Sequence, residues 1–262
     1  MVEITTAQLL AWVGALLWPL ARILGIFTTA PVWRDRSLPI RLRIGLGLAV
    51  AALVVPGLPP PPVLDPLSWD GLLILLQQVL IGLAIGFVMR LIFTGIELAG
   101  ELMGMTMGLG FATFFDPRSQ GQTSVINQFM TQLALMLFLW SDLHLLLLDS
   151  VIDSFQSLPI NALPLTSTGW AQLAYWGSRI FSIGLQLALP VVTALLVANM
   201  ALGVLTRAAP QLNLFSIGFP VTLLTGYLML GLTLPYWSSP MLQMLHEGLQ
   251  LVRQLTRELS PT

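Results

Sequence analysis

The stretch TRAAPQLNLFSIGFP, residues 206–220, stands between two long apolar runs and carries an arginine, two prolines, a glutamine, an asparagine and a Gly-Phe-Pro corner. Unpaired backbone N–H and C=O groups are costly in hydrocarbon, so irregular chain at membrane depth persists only when buried in protein or lining an aqueous cavity. Pro210, Gly218 and Pro220 predict an irregular path. Gln211 and Asn213 supply amide groups able to satisfy the freed backbone, and Arg207 can hold a carbonyl or a carboxylate. Two readings follow: a polar turn at the membrane surface, or a bend sheltered by other protein. Leu214 and Phe215 restart the apolar run at once, which suits the turn.

Outward from this stretch the chain is a membrane protein by composition. Of 262 residues, 56% are hydrophobic and 9% charged, with a mean hydropathy of +0.85, against about 25% charged residues in soluble domains. A formal charge of -1 gives no electrostatic case for nucleic-acid binding. All 11 basic residues are arginine, which excludes Schiff-base chemistry and a P-loop, both of which need a lysine amine. The absence of cysteine excludes disulfides, thiolate metal sites and a cysteine nucleophile.

A membrane helix needs about 20 mostly apolar residues. Such runs are expected over 7–32, 44–58, 72–93, 96–115, 125–148, 173–205 and 214–237. The N-terminal run lacks the basic region of a signal peptide and is read as a retained first segment. A final helix over 242–259 has leucines at three- and four-residue spacing among Gln243, Glu247, Gln250, Gln254 and Arg257; this amphipathic pattern is expected on a surface or a partner. Two proline-broken loops, PGLPPPPVLDP (56–66) and SLPINALPLTST (157–168), are too short to be domains, so residues 1–262 form one integral domain. Arg34, Arg36, Arg41 and Arg43 place the first loop in the cytoplasm.

Several runs are poor as independent spans. Pro19 and Arg22 interrupt the first, Gln77 and Gln78 the third, Glu97 and Glu101 the fourth, and Ser178, Arg179, Gln186 and Pro190 the sixth. A charge at the helix centre costs about 2.5–3.5 kcal/mol on insertion scales, so these groups need protein partners. Arg90, Glu97 and Glu101 project from one side of a continuous helix, either as a solvated end or as a polar seam between helices.

In AGELMGMTMGLG (99–110), Gly100, Gly104 and Gly108 at four-residue spacing make a smooth groove for close backbone approach, interleaved with Met103, Met105 and Met107. Such small-residue spacing is common in ordinary helix packing. GLGFATFFDP (108–117) follows, where Asp116-Pro117 forces an exit from helix. Phe111, Phe114 and Phe115 are either lipid or core anchors, or a constriction that excludes water from a pore.

Residues 199–230, NMALGVLTRAAPQLNLFSIGFPVTLLTGYLML, together with 99–117, AGELMGMTMGLGFATFFDP, resemble the FliR family of the flagellar type III export gate, with matching hydropathy along essentially the whole chain. The injectisome SctT family shares the Pro-Gln-x-Asn element, whereas the Gly-Phe-Pro corner resembles the flagellar branch. Val221 and Thr222 stand where some members carry a basic residue. The resemblance implies an all-α integral membrane protein of FliP/FliQ-like helical hairpins, packed in a helical export-gate assembly in the bacterial cytoplasmic (inner) membrane at the flagellar basal body. It implies FliP-like, FliQ-like, FlhB-like and FlhA-like partners, and passage of unfolded flagellar substrates. It also implies a plug at Gly110, Phe111, Phe114, Phe115, Asp116 and Pro117, and a bend at Arg207, Pro210, Gln211, Asn213, Phe215, Gly218 and Pro220.

No enzyme, cofactor or metal site is expected. His246-Glu247 lacks a second histidine at zinc-helix spacing, and His144 with Asp142, Asp149 and Asp153 reads as a solvated helix end rather than a divalent-ion site. A small-solute secondary transporter is the remaining alternative; it predicts matched interruptions in two halves, and Pro19 and Pro190 give only a loose echo of that.

Overall fold

A computed structural model describes residues 6–33, 38–59, 62, 64–109, 124–161, 165–209 and 214–260. Among them every regular element is helical: α1 Thr6–Thr29, α2 Ile40–Val54 continued by a 3-10 turn Val55–Gly57, α3 Trp69–Thr106, α4 Val125–Trp140, α5 Leu143–Ser157, α6 Ser167–Trp176, α7 Arg179–Ala208 and α8 Leu214–Glu258. Five stretches are long and apolar enough to cross a membrane: Trp12–Thr29, Ile40–Gly57, Trp69–Thr106, Ser167–Ala208 and Ile217–Glu258. The α4–α5 pair makes a sixth if counted as one broken span. The chain is an all-α integral membrane protein.

Several boundaries differ from the sequence expectation. The runs 72–93 and 96–115 form one helix, α3, because nothing between them breaks an i→i−4 ladder; Gly95 is a close-packing position, where a Cβ would press on Ile183. That helix stops at Thr106, well before Asp116-Pro117, because Gly108 adopts φ 85 and its N–H donates to the Met105 carbonyl at 3.0 Å. Left-handed backbone after a last turn is a glycine-favoured helix stop. The run 125–148 breaks at Asp142, the non-glycine residue with positive φ (56°) among those described, a conformation that aspartate tolerates better than most. The run 173–205 breaks between Trp176 and Arg179.

The Gly-Phe-Pro corner is also corrected: Gly218, Phe219 and Pro220 lie inside α8 rather than in a bend. Pro220, like Pro235 and Pro240, removes one ladder hydrogen bond, a loss that membrane helices accommodate by local adjustment. The expected separate helices 214–237 and 242–259 are one element of 45 residues.

The chain packs as two compact units: Met1–Leu91 with Asp142–Gly177 and His246–Thr262, and Ile92–Ser141 with Ser178–Leu245. Helices α3 and α8 contribute residues to both. In the first unit α1 and α3 approach at backbone distance, since a Cβ on Gly25 would lie 2.8 Å from the Val79 carbonyl oxygen and one on Gly82 would overlap the Arg22 carbonyl. Trp18, Ile23, Ile81, Phe155 and Leu255 are fully buried there. The C-terminal part of α8 does not await a partner: Leu249, Leu251, Val252, Leu255 and Leu259 are buried in this unit, with Arg253 paired to Asp149 of α5 at 3.0 Å. Its end is capped by the start of α6, where Thr166 donates from Oγ1 to the Glu258 carbonyl and from its N–H to the Leu259 carbonyl. That places the negative end of one helix dipole against the positive end of another.

In the second unit α4 buries Ile126, Met130, Ala134 and Phe138, one residue per turn. Phe138 meets Phe93 of α3 edge to face, with centroids 6.1 Å apart. A Cβ on Gly184 of α7 would press on Leu98 of α3, so α3 forms the centre of this unit.

Candidate functional site

In the second unit the described residues that precede and follow 110–123 in the chain form a packed frame. On one side is the last turn of α3. Met103 and Met107 are fully buried, and the Thr106 hydroxyl turns back onto the Leu102 and Met103 carbonyls at 2.9 Å each. On the other side is the start of α4. A Cβ on Gly100 would overlap the Asn127 backbone, and one on Gly104 would overlap the Ser124 hydroxyl. The two glycines are therefore the places where α4 lies directly on α3, and they hold residues 104 and 124, flanking the segment, in contact. Helix α8 completes the frame: the Met107 side chain fills the space beside Gly226, and Thr222 Oγ1 donates to the Met107 carbonyl at 3.4 Å.

Gly108 is not part of the helix groove; it is the left-handed stop beyond it. Met105, half a turn from its two buried neighbours, is 54% exposed. The expected plug residues Gly110, Phe111, Phe114, Phe115, Asp116 and Pro117 lie outside the described residues, as do Pro210, Gln211 and Asn213 of the expected bend. Arg207 is exposed in the last turn of α7, where a cation complements the C-terminal carbonyls. Phe215 is in the first turn of α8, Gly218 is buried and Pro220 exposed. Thus the structure sets Gly100 and Gly104 against α4 with Met103 and Met107 buried, leaves Gly108 and Met105 out of that packing, and places Gly218 and Pro220 inside α8.

Of the charged residues interrupting apolar runs, Arg90, Glu97 and Glu101 are half-buried on α3. Arg22 and Gln78 answer one another. Arg22 is 0% exposed and donates from Nε to Gln78 Oε1 at 2.8 Å, from Nη1 to the Ser154 carbonyl at 2.8 Å and its hydroxyl at 3.0 Å, and from Nη2 to the Leu158 carbonyl at 2.8 Å. Its guanidinium also lies 4.1 Å from the centroid of the Phe155 ring. Sequence reasoning flagged both residues as needing partners; that the remaining acceptors are the C-terminal carbonyls of α5 had no local signal.

Among the described residues the frame is close-packed where Gly100 and Gly104 meet α4 and Met107 meets Gly226.

Residues 13–248 match the family described as Bacterial export proteins, family 1. The chain is 45% identical over 237 residues to the flagellar biosynthetic protein FliR of Pectobacterium carotovorum subsp. carotovorum, covering 90% of each chain. It is 43% identical over 235 residues to the FliR of Escherichia coli, again covering 90% of each. To the FliR of Bacillus subtilis it is 31% identical over 214 residues, covering 80% of this chain and 82% of the relative.

Proposed function

The chain belongs to the FliR family of bacterial export proteins, and from that premise we propose that it is a non-enzymatic subunit of the flagellar type III export gate, in the bacterial cytoplasmic membrane at the flagellar basal body. With FliP-like and FliQ-like subunits, and in contact with FlhB-like and FlhA-like proteins, it lines the conduit for unfolded flagellar proteins. Residues 1–262 act as one domain within that assembly.

The observation that carries the reading is a mismatch of length. At 1.5 Å rise per residue, α3, with 38 residues, has a contour of about 57 Å, and α8, with 45, about 68 Å, whereas a bilayer core is about 30 Å thick. Both helices carry exposed large apolar side chains, among them Leu72, Leu76 and Phe87 on α3 and Leu224, Leu228 and Leu232 on α8. Lipid cannot cover helices of that length while they stand in register with it, and sister chains can.

Within this reading Gly110, Phe111, Phe114, Phe115, Asp116 and Pro117 form the plug of the closed conduit, mounted on the Gly100–Gly104 contact. Met103 and Met107 are buried in the stretch that precedes it in the chain, where Met105 is exposed. The stretch between α7 and α8, with Pro210, Gln211 and Asn213, joins the arms of a hairpin. Phenylalanine tips suit a seal because they exclude water and repack without leaving unpaired polar groups. The test replaces Phe111, Phe114 and Phe115 together with glycine in growing cells. Ion leakage across the cytoplasmic membrane is expected to rise; leakage equal to that of the parent sinks the plug assignment.

A further inference from the structure

Arg22 stands within the span Trp12–Thr29, the least apolar of the five, which also contains Pro19. Four N–H donations anchor its guanidinium, and none of the acceptors is a carboxylate: they are the Gln78 amide oxygen, the Ser154 hydroxyl, and the carbonyls of Ser154 and Leu158 at the end of α5. The Ser154 carbonyl already accepts the Leu158 N–H at 2.9 Å and takes the guanidinium as a second donor, while the Leu158 carbonyl lies beyond the last turn; both stand at the negative end of the α5 dipole, so α5 presents a preformed acceptor for a cation. The Phe155 ring face adds to it.

These acceptors lie 56, 132 and 136 residues after Arg22. While the chain is being made, α1 therefore emerges carrying a charge for which nothing yet synthesised provides a site. An unpaired arginine at the centre of a span opposes insertion, and Gln77 and Gln78 make the neighbouring part of α3 polar as well. We infer that Arg22 makes α1 a conditional membrane segment, which takes its place only once Gln78 of α3 and the C-terminal end of α5 are there to receive the guanidinium. The first unit then closes in one late step, with α1 arriving last although it is first in the chain. Close packing makes that step selective: Gly25, Gly82 and Gly86 let α1 seat on α3 at backbone distance, and Thr29 Oγ1 reaches the Leu83 carbonyl at 3.3 Å. A helix shifted by one turn would lose both the glycine contacts and the acceptors.

This predicts an asymmetry that simple packing does not. Removing the Gln78 acceptor leaves a buried cation one partner short, whereas removing Arg22 and Gln78 together removes the charge and leaves only neutral acceptors at the end of α5, a smaller penalty. The chain contains no cysteine, so Leu16→Cys, inside the span and 36% exposed, places a single reporter thiol on α1. In hydrocarbon that thiol stays protonated and unreactive toward a water-soluble maleimide. In membranes, L16C alone is expected to label slowly. L16C with Gln78→Leu should label at least about tenfold faster, because a hydrogen bond from a charged donor is lost. L16C with both Gln78→Leu and Arg22→Met should return to the slow rate. If Gln78→Leu labels no faster than its parent, or if adding Arg22→Met fails to restore protection, α1 does not depend on Arg22 finding its acceptors and the inference is overturned.

Discussion

A Cβ on Gly100 would overlap the Asn127 backbone, whereas one on Gly203 would meet nothing within 4 Å. Backbone cannot move aside as a flexible side chain can, so Gly100→Ala forces α4 off α3; overpacking of this kind costs about 1–3 kcal/mol. Gly203→Ala only removes backbone freedom in the interior of α7 and should stabilise by about 0.5–1 kcal/mol. Denaturant unfolding of both variants in one detergent is expected to move the midpoint in opposite directions, and equal shifts would mean that α3 and α4 do not touch there. The glycine spacing was visible in the sequence, but the partner was not: four-residue spacing says that something approaches, and only the fold says that it is Asn127 and Ser124. The same holds for Arg22. An arginine in an apolar run announces a need for acceptors, while carbonyls at the end of a helix more than 130 residues away have no residue type to announce them.

At the scale of elements, the apolar runs gave away which parts of the chain are helical, and their ends were read less well. Composition alone suggested a break between residues 93 and 96 and an end near Asp116, whereas continuity of the backbone ladder through Gly95 and the positive φ of Gly108 decide both. The break at Asp142 was hidden because left-handed aspartate looks like any other polar residue in a sequence. The C-terminal helix was recognised as amphipathic from its leucine spacing, but a stripe of that kind fits its own chain as well as a partner. Here it covers the first unit, with five side chains, Leu249, Leu251, Val252, Leu255 and Leu259, removed from solvent. At about 1.5–3 kcal/mol for each such side chain, their loss compares with the whole stability of an ordinary domain, about 5–15 kcal/mol. A chain stopped after Leu245 keeps nearly all of its apolar runs, yet should fall to a small fraction of the normal level in cells and become sensitive to protease along α5 and α6. Normal abundance of the truncated chain would show that the helix serves an external partner instead.

For the whole molecule, the informative feature is surface left uncovered. Helix α7 meets α3 where Ile183 faces Gly95, and it buries Leu187, Val191 and Leu195 farther along, whereas of residues 196–209 none is buried. Val197, Met200 and Val204 are 61, 66 and 71% exposed, on the arm that precedes the Pro210–Asn213 stretch in the chain. With 30 residues α7 has a contour of about 45 Å, half as long again as a bilayer core of about 30 Å, so an arm covered only by lipid would leave apolar surface in water. A gate subunit resolves this by laying the arm against a neighbouring chain, and a free-standing small-solute transporter has no such neighbour to use. The natural absence of cysteine again makes the comparison direct: Val197→Cys, Met200→Cys and Val204→Cys, one at a time, report solvent at the arm without further engineering. Purified alone in detergent, each thiol should react readily with a small maleimide; purified with the proposed FliP-like and FliQ-like companions, each should be protected. Reaction at the same rate in both preparations, in a complex that has demonstrably formed, would assign the arm to lipid and move the subunit contacts elsewhere. Failure of any complex to form would instead remove the gate itself from the account, because the exposed arm of α7 then has no neighbouring chain to lie against.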